Sequence, residues 1–297
     1  MKSQIQIFLE NMLLSVLTVG KVLLLSNPFL RFPRNKFKKS CVILANGPSL
    51  NQTITEHRSF LEDKALFCVN LFARTKNYEL LKPAFYVITS PEYWNKDEKD
   101  GWYEDRYKTF QDIVDKTKWE LYLIVPKLAK KNRVWIKFME RNPNVQLIYF
   151  NNTPVEGFRW INHLLFNLNL GIPRPHNVLI PSLFIAIKCG FKKIYLAGTD
   201  HNWLQDIYVT ENNEVLLSQK HFYDDQFQDK NNKNSPHPRP MYHGTTKEKR
   251  KLHEVLIKFY HAFKGYWDIK DYASEKNVDI VNLTTNSYID AFNKEEI

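Results

Sequence analysis

Small polar residues recur in this chain where short apolar runs end. Asn46-Gly47-Pro48-Ser49 follows the run from Cys41 to Ala45, Asn70 follows Ala65 to Val69, and Thr89-Ser90 follows Phe85 to Ile88. Gly198-Thr199-Asp200 closes the run from Ile194 to Ala197. Polar residues at the carboxyl ends of parallel strands are where α/β sheets place their ligands. A tight Gly turn leading into a helix also presents bare backbone amides suited to phosphate. The chemistry this pattern serves is the holding of a phosphate-bearing nucleotide, although neither the GxGxxG fingerprint nor a Walker A Lys is present. Asn46, Asn70, Thr89 and Ser90 are therefore expected to converge on one crevice, with Gly47 and Pro48 shaping its turn.

These residues need a sheet and flanking helices to bring them together. Further strands are expected at Leu121 to Val125, Val145 to Tyr149 and Val278 to Val281. One helix is expected to end at Cys189 and another to cover residues 247–264. Gly190 stops the first of these helices before the strand at Ile194. The alternation implies an α/β fold, Rossmann-like, with a mostly parallel sheet and helices on both faces. The 297 residues, 43% hydrophobic and 25% charged, suffice for a buried core and exclude disordered, collagen-like and multi-span membrane classes. Cys41, Cys68 and Cys189 show no metal-binding spacing and read as small buried hydrophobes.

The first forty residues form a separate object. Residues 5–25 read as an amphipathic helix with Ile5, Phe8, Leu9, Met12, Val16, Val19 and Leu23 on one side, and Ser3, Glu10, Asn11, Thr18 and Lys21 on the other. Arg31, Arg34, Lys36, Lys38 and Lys39 follow at once, a cluster drawn to anionic head groups. Seven Lys or Arg against one Glu give this segment +6 of the chain's +10, leaving +4 for the other 257 residues. A nucleic-acid partner is thereby disfavoured. The expectation is a membrane-associating segment 1–40, at the cytoplasmic face of a bacterial inner membrane, attached to a domain 41–297.

NGPSL after the first strand, Asn70 after the second and GFKKIYLAGTD after a helix resemble the bacterial sialyltransferase family that uses CMP-sialic acid, with the MptE-like group as a relative. The resemblance implies a metal-independent CMP-sugar site, with no cofactor beyond the donor, and a lid over residues 201–243. It implies that Asn46, Gly47 and Ser49 face the nucleotide and phosphate. Asn70 would contact the nucleotide, Thr89 or Ser90 the ribose or sugar, and Asp200 the base or ribose. Tyr208 would bond the donor phosphate, and His243 in MYHGT would be the general base. Two segments depart from the family pattern. Pro175-His176-Asn177-Val178 stands for a Ser-Gly segment, and His201-Asn202-Trp203 stands where a second Tyr is usual. Asn177 and Asn202 are carried as donor-contact candidates at those positions.

Charge developing on a departing phosphate needs a metal, cations or hydrogen-bond donors. The chain has no Asp-x-Asp, the usual metal-holding pair of nucleotide-sugar transferases. Tyr hydroxyls and a helix N-terminus, with Arg174 or Arg239 as cations, are the expected substitutes. A His base has a suitable pKa without special tuning. Of nine His, His243 is preferred because it follows the Pro-rich HPRPMYHGT and precedes a helix, with His201 and His221 as competitors. The expected activity is inverting transfer of sialic acid or a related nonulosonic acid to a cell-surface glycan or glycolipid, such as a lipopolysaccharide. Two other readings stay open: an MptE-like ATP-dependent pterin pyrophosphokinase, and a non-catalytic nucleotide-binding protein at the membrane surface. A homo-oligomer is compatible with all three.

Overall fold

In a pleated strand successive side chains point to opposite faces, so an unbroken apolar run must be covered on both sides. The run from Ser40 to Leu44 (β1) meets that condition: Cys41 and Ile43 enter one core while Val42 and Leu44 enter a second. The same split holds in Ala65–Val69 (β2), where Phe67 and Val69 face the first core and Leu66 and Cys68 the second. A computed structural model describes residues 3–34, 39–94, 103–218, 220–224, 238–243, 246 and 248–297.

The remaining strands of the main sheet are Phe85–Val87 (β3), Leu121–Pro126 (β4), Val145–Phe150 (β5), Lys193–Ala197 (β6), Asp279–Asn282 (β10) and Asn293–Lys294 (β11). Their order is β11-β10-β6-β1-β2-β3-β4-β5, and every pairing is parallel. The chain builds outward from β1 to β5, then returns to the opposite side of β1 with β6. That reversal makes the β1–β6 boundary the topological switch point, the place where open α/β sheets open a crevice.

The first core is closed by Arg159–Asn167 (α7), Leu179–Lys188 (α8) and Leu252–Glu275 (α9), through Phe166, Leu183, Phe184, Tyr266, Ile269 and Tyr272. The second is closed by Leu50–Glu56 (α2), Arg58–Glu62 (α3), Asn77–Leu81 (α4), Tyr103–Lys116 (α5) and Arg133–Met139 (α6), through Leu50, Ile54, Leu61, Tyr78, Ile113 and Met139. The fold is thus α/β with helices on both faces, as the sequence implied. All three cysteines are free and buried among these side chains.

Two elements differ from the sequence expectation. The segment after Asp200 contains a small antiparallel sheet of Ile207–Val209 (β7), Val215–Leu217 (β8) and Arg239–Pro240 (β9). Two short β-favouring runs flank a turn in which Asn213 adopts φ +58°, so the hairpin is locally encoded. Residues 219 and 225–237 of the expected lid lie outside the described residues. The α9 helix begins at Leu252 rather than 247. There the Glu254 carboxylate accepts from the Lys251 amide, and the helix runs on until Asn277 turns left-handed at φ +52°.

The N-terminal helix Gln4–Leu25 (α1) lies against the body along a polar stripe. Its buried residues are Ser15, Thr18 and Val22, while Ile5, Phe8, Leu13, Val16, Leu23 and Leu24 are exposed. The Phe158 amide donates to Ser15 Oγ at 2.9 Å. Thr18 Oγ1 donates to the Glu156 carbonyl at 2.8 Å and accepts from the Glu156 amide at 3.1 Å. Gly157, at φ +117°, permits this approach, since a Cβ there would stand 2.2 Å from Ser15 Oγ.

Candidate functional site

The carboxyl ends of β1, β2, β3, β5 and β6 and the start of α8 surround a cleft of about 560 Å³, within the range of small-molecule sites. Among the sequence candidates, Asn46, Gly47, Pro48, Asn70, Thr89, Ser90, Asn177, Asp200 and Asn202 line it. Ser49, Arg174, Tyr208 and His243 lie outside that lining.

The β1–β6 corner is tight because strand pairing continues past the strands. The Ala45 amide donates to the Ala197 carbonyl and the Gly47 amide to the Gly198 carbonyl, each at 2.8 Å. A Cβ on Gly47 would fall 1.8 Å from Asp200 Oδ2 and 2.5 Å from the Gly198 oxygen, so this turn admits no side chain. Asp200 then staples the corner, accepting from Ser49 Oγ at 2.9 Å and from the Ser49 amide at 3.3 Å. The Ser49 hydroxyl is committed to that bond, which explains its absence from the cleft wall. A carboxylate here repels phosphate and suits a hydroxyl donor instead.

Asn177 has a similar structural duty. Its Oδ1 accepts from the Leu179 and Ile180 amides at 3.0 and 3.2 Å, capping α8. Its Nδ2 donates to Tyr266 Oη at 2.8 Å, and that hydroxyl lies 2.6 Å from His201 Nε2. Donation from Tyr266 to His201 requires a neutral ring, and complete burial pushes the His201 pKa down to about 3. His201 also packs on Trp203, which stacks on Phe259 and so ties the cleft wall to α9.

Three buried polar atoms of the cleft have no partner among the described residues: Asn46 Oδ1, Asn152 Oδ1 and His176 Nε2. An unpaired buried acceptor costs about 1–3 kcal/mol, which a ligand bearing donors would relieve. The His176 ring stacks on His261 with centroids 4.9 Å apart. Desolvation first, then the charges of His261, Arg174 and Lys258, lower its pKa to about 4, so it is neutral at neutral pH.

Lys220 and His221 reach the cleft because the next residues are clamped to the β1–α2 turn. The Phe222 amide donates to the Asn46 carbonyl, and Asn51 Nδ2 to the Phe222 carbonyl, each at 2.9 Å. Phe222 and Tyr223 are buried in the second core. His221 Nδ1 stands 3.5 Å from Asp224 Oδ1, and its amide donates to Asp224 Oδ2 at 2.7 Å. The sequence marks His221 only as a competitor and does not single out Lys220, Asn152 or His176 as site residues. The aromatic pair Phe222-Tyr223 after Lys220 is the available signal that this stretch returns to the core.

The residues outside the lining have other partners. Arg174 is ion-paired with Glu156, which holds its guanidinium toward the α1 side of the molecule. Tyr208 lies on β7 and is 48% exposed. His243 Nε2 lies 3.1 Å from Glu254 Oε1, and its amide donates to the Glu248 carbonyl. Asn282 at the end of β10, with Thr284 and Ser287 just past it, braces the end of β6. Thr199 Oγ1 donates to Asn282 Oδ1 at 2.7 Å, its amide donates to Thr284 Oγ1 at 3.0 Å, and Ser287 Oγ donates to its carbonyl. Among the described residues, no group of three or more His, Cys, Asp or Glu is placed to hold a metal ion.

No protein-family model and no curated protein matches the chain. Among solved structures, the MAf glycosyltransferase from Magnetospirillum magneticum AMB-1 aligns over 97% of this chain with a TM-score of 0.49 and 9% identity. The chain spans 38% of the length of that protein.

Proposed function

We propose that the chain is a glycosyltransferase that takes a sialic acid or related nonulosonic acid from a CMP-linked donor to a glycan or glycolipid acceptor. The observation that carries this reading is the set of unpaired acceptors, Asn46 Oδ1 and Asn152 Oδ1, in a cleft at the switch point that also receives Lys220. An amide oxygen there accepts from the amino group of cytosine or from a sugar hydroxyl. Asp200 accepts from a ribose hydroxyl, and Lys220 offsets the charge gathering on the departing phosphate. The acceptor oxygen attacks the anomeric carbon, the bond from that carbon to the phosphate oxygen breaks, and CMP leaves with inversion.

The acceptor proton passes to a histidine. The resemblance names His243, but the geometry favours His221, which lines the cleft and has Asp224 beside Nδ1 to orient it. We further propose that residues 1–40 hold the enzyme to the cytoplasmic face of a bacterial membrane.

The test is a set of melting curves with CMP, CDP, UDP, GDP and ATP, each with EDTA and with Mg²⁺. Donor nucleotide at a hundred times its Kd adds about 2.7 kcal/mol to the folded state. An upward shift with CMP in EDTA supports the reading. A shift confined to ATP with Mg²⁺ replaces it with pyrophosphoryl transfer, and no shift with any nucleotide overturns the nucleotide-binding reading of the cleft. In a transfer assay, His221→Ala is expected to cut kcat by about 10²–10⁴, with His243→Ala close to wild type. The opposite ranking returns the base to His243.

A further inference from the structure

The polarity of α1 is inverted relative to the protein it belongs to. Its small polar residues face the body, and its large apolar residues face outward: Ile5 is 72% exposed, Val16 66%, Leu23 78% and Leu24 85%. A core helix shows the reverse. The outward face does not stop at α1. The Phe158 amide, at the start of α7, meets Ser15, while Asn169 and Leu170, just past its end, meet Leu30 and Ser26. The segments flanking α7 therefore meet α1 and its exit in the same chain order, so the two helices run in the same direction. Along α7 and its C-cap, Trp160, Leu164 and Leu168 form an exposed stripe at four-residue spacing, with Trp160 69% exposed. Phe8 and Phe158, with ring centroids 5.4 Å apart, bridge the two surfaces.

We infer that α1 and α7 form one face that lies in the plane of an anionic phospholipid bilayer, with α1 embedded along its length rather than spanning. Two observations decide this occupant and this orientation. Lys21, Arg31 and Arg34 are exposed beside the face, Arg159 is exposed and paired with Asp271, and Glu10 is the single acid within α1. This fringe complements anionic head groups and repels the same fringe on a second copy. The body meets α1 at Ser15, Thr18 and Val22 and just past its end at Ser26, along its central and C-terminal turns. By length and composition α1 could cross a bilayer. A spanning orientation would carry the Glu156–Arg174 ion pair beside Thr18 into hydrocarbon, or sever these contacts. In-plane embedding keeps both.

The inference rests on the membrane role proposed above, deepens it, and has a consequence for the acceptor. Asn152 lines the cleft, and the next residue, Thr153, bonds Ser26 Oγ at 2.9 Å. The cleft wall is thus one residue away from a contact with the segment that follows α1, and an acceptor carried on a lipid would reach the site from the bilayer surface.

The experiment is flotation of the full chain with vesicles of phosphatidylcholine, alone or mixed with phosphatidylglycerol. The wild type and a Trp160→Ser/Leu164→Ser/Leu168→Ser variant are compared, with melting curves as the control for folding. The expected result is binding to the mixed vesicles that falls at least about tenfold in the variant at unchanged melting temperature. Tryptophan emission should be quenched by brominated lipid in the wild type, with that component reduced in Trp160→Phe. Equal flotation of wild type and variant overturns the α7 contribution while leaving α1 as an anchor. Failure of the wild type to float overturns the membrane reading as well. A dimer that the variant dissolves, without flotation, assigns the face to a second copy instead.

Discussion

Gly47→Ala is the sharpest perturbation of the proposed site, because the new methyl has nowhere to go. It would stand 1.8 Å from Asp200 Oδ2 and 2.5 Å from the Gly198 carbonyl oxygen. The carboxylate can rotate away, at the loss of its bonds to Ser49 Oγ and the Ser49 amide. The carbonyl belongs to the backbone of the neighbouring strand end and cannot move without breaking the 2.8 Å bond from the Gly47 amide. One lost backbone hydrogen bond costs about 1 kcal/mol, and forced overpacking about 1–3. The expected destabilisation is therefore about 2–4 kcal/mol, which for a chain of this length lowers the melting temperature by about 3–7 °C. The turn also lines the cleft, so the stabilisation by CMP should disappear. Differential scanning fluorimetry with and without CMP in EDTA reads both effects. Gly20→Ala is the control, since a Cβ there meets nothing within 4 Å and Ala favours the helix. Melting within about 1 °C of wild type, together with an undiminished CMP shift, would refute the argument that this corner is sterically closed and binds the donor.

Two further perturbations probe the rest of the structure. Burial holds His201 neutral, with its pKa lowered from 6.5 to about 3, so the unfolded chain binds the extra proton between those values. Stability is complete above about pH 6.5 and falls as pH drops toward 3, by up to about 1.4 kcal/mol per pH unit from this group. Denaturant midpoints measured against pH should show a shallower acid slope in His201→Gln. An unchanged slope would mean that the ring is not held neutral by burial. For the polar seam of α1, Thr18→Val leaves the Glu156 amide and carbonyl without their partner and should cost about 1–3 kcal/mol by chemical denaturation. Val16→Thr, on the 66% exposed side, should leave the midpoint unchanged. The reverse pattern would put the other face of the helix against the body.

The layered α/β fold was legible because it is written in local periodicity. The short apolar runs of β1, β2, β4 and β6 carry the side chains of two cores, and turn-forming residues follow β1, β2 and β6. Asn46, Asn70, Thr89 and Ser90 could be assigned to one crevice because parallel strands align their carboxyl ends. The duties of single side chains were not legible. Ser49 and Asp200 are 151 residues apart, and only the return of β6 beside β1 makes one the partner of the other. Arg174 was free to be a phosphate cation until the fold set Glu156 beside it, and Lys220 entered the cleft only when Phe222 was clamped to Asn46. The amphipathic pattern of α1 was equally plain in the sequence, but a helical wheel states only that two faces differ. Which face meets the protein was decided by the Glu156 and Phe158 backbone groups, whose hydrogen bonds the Ser15 and Thr18 hydroxyls satisfy and the aliphatic side chains cannot.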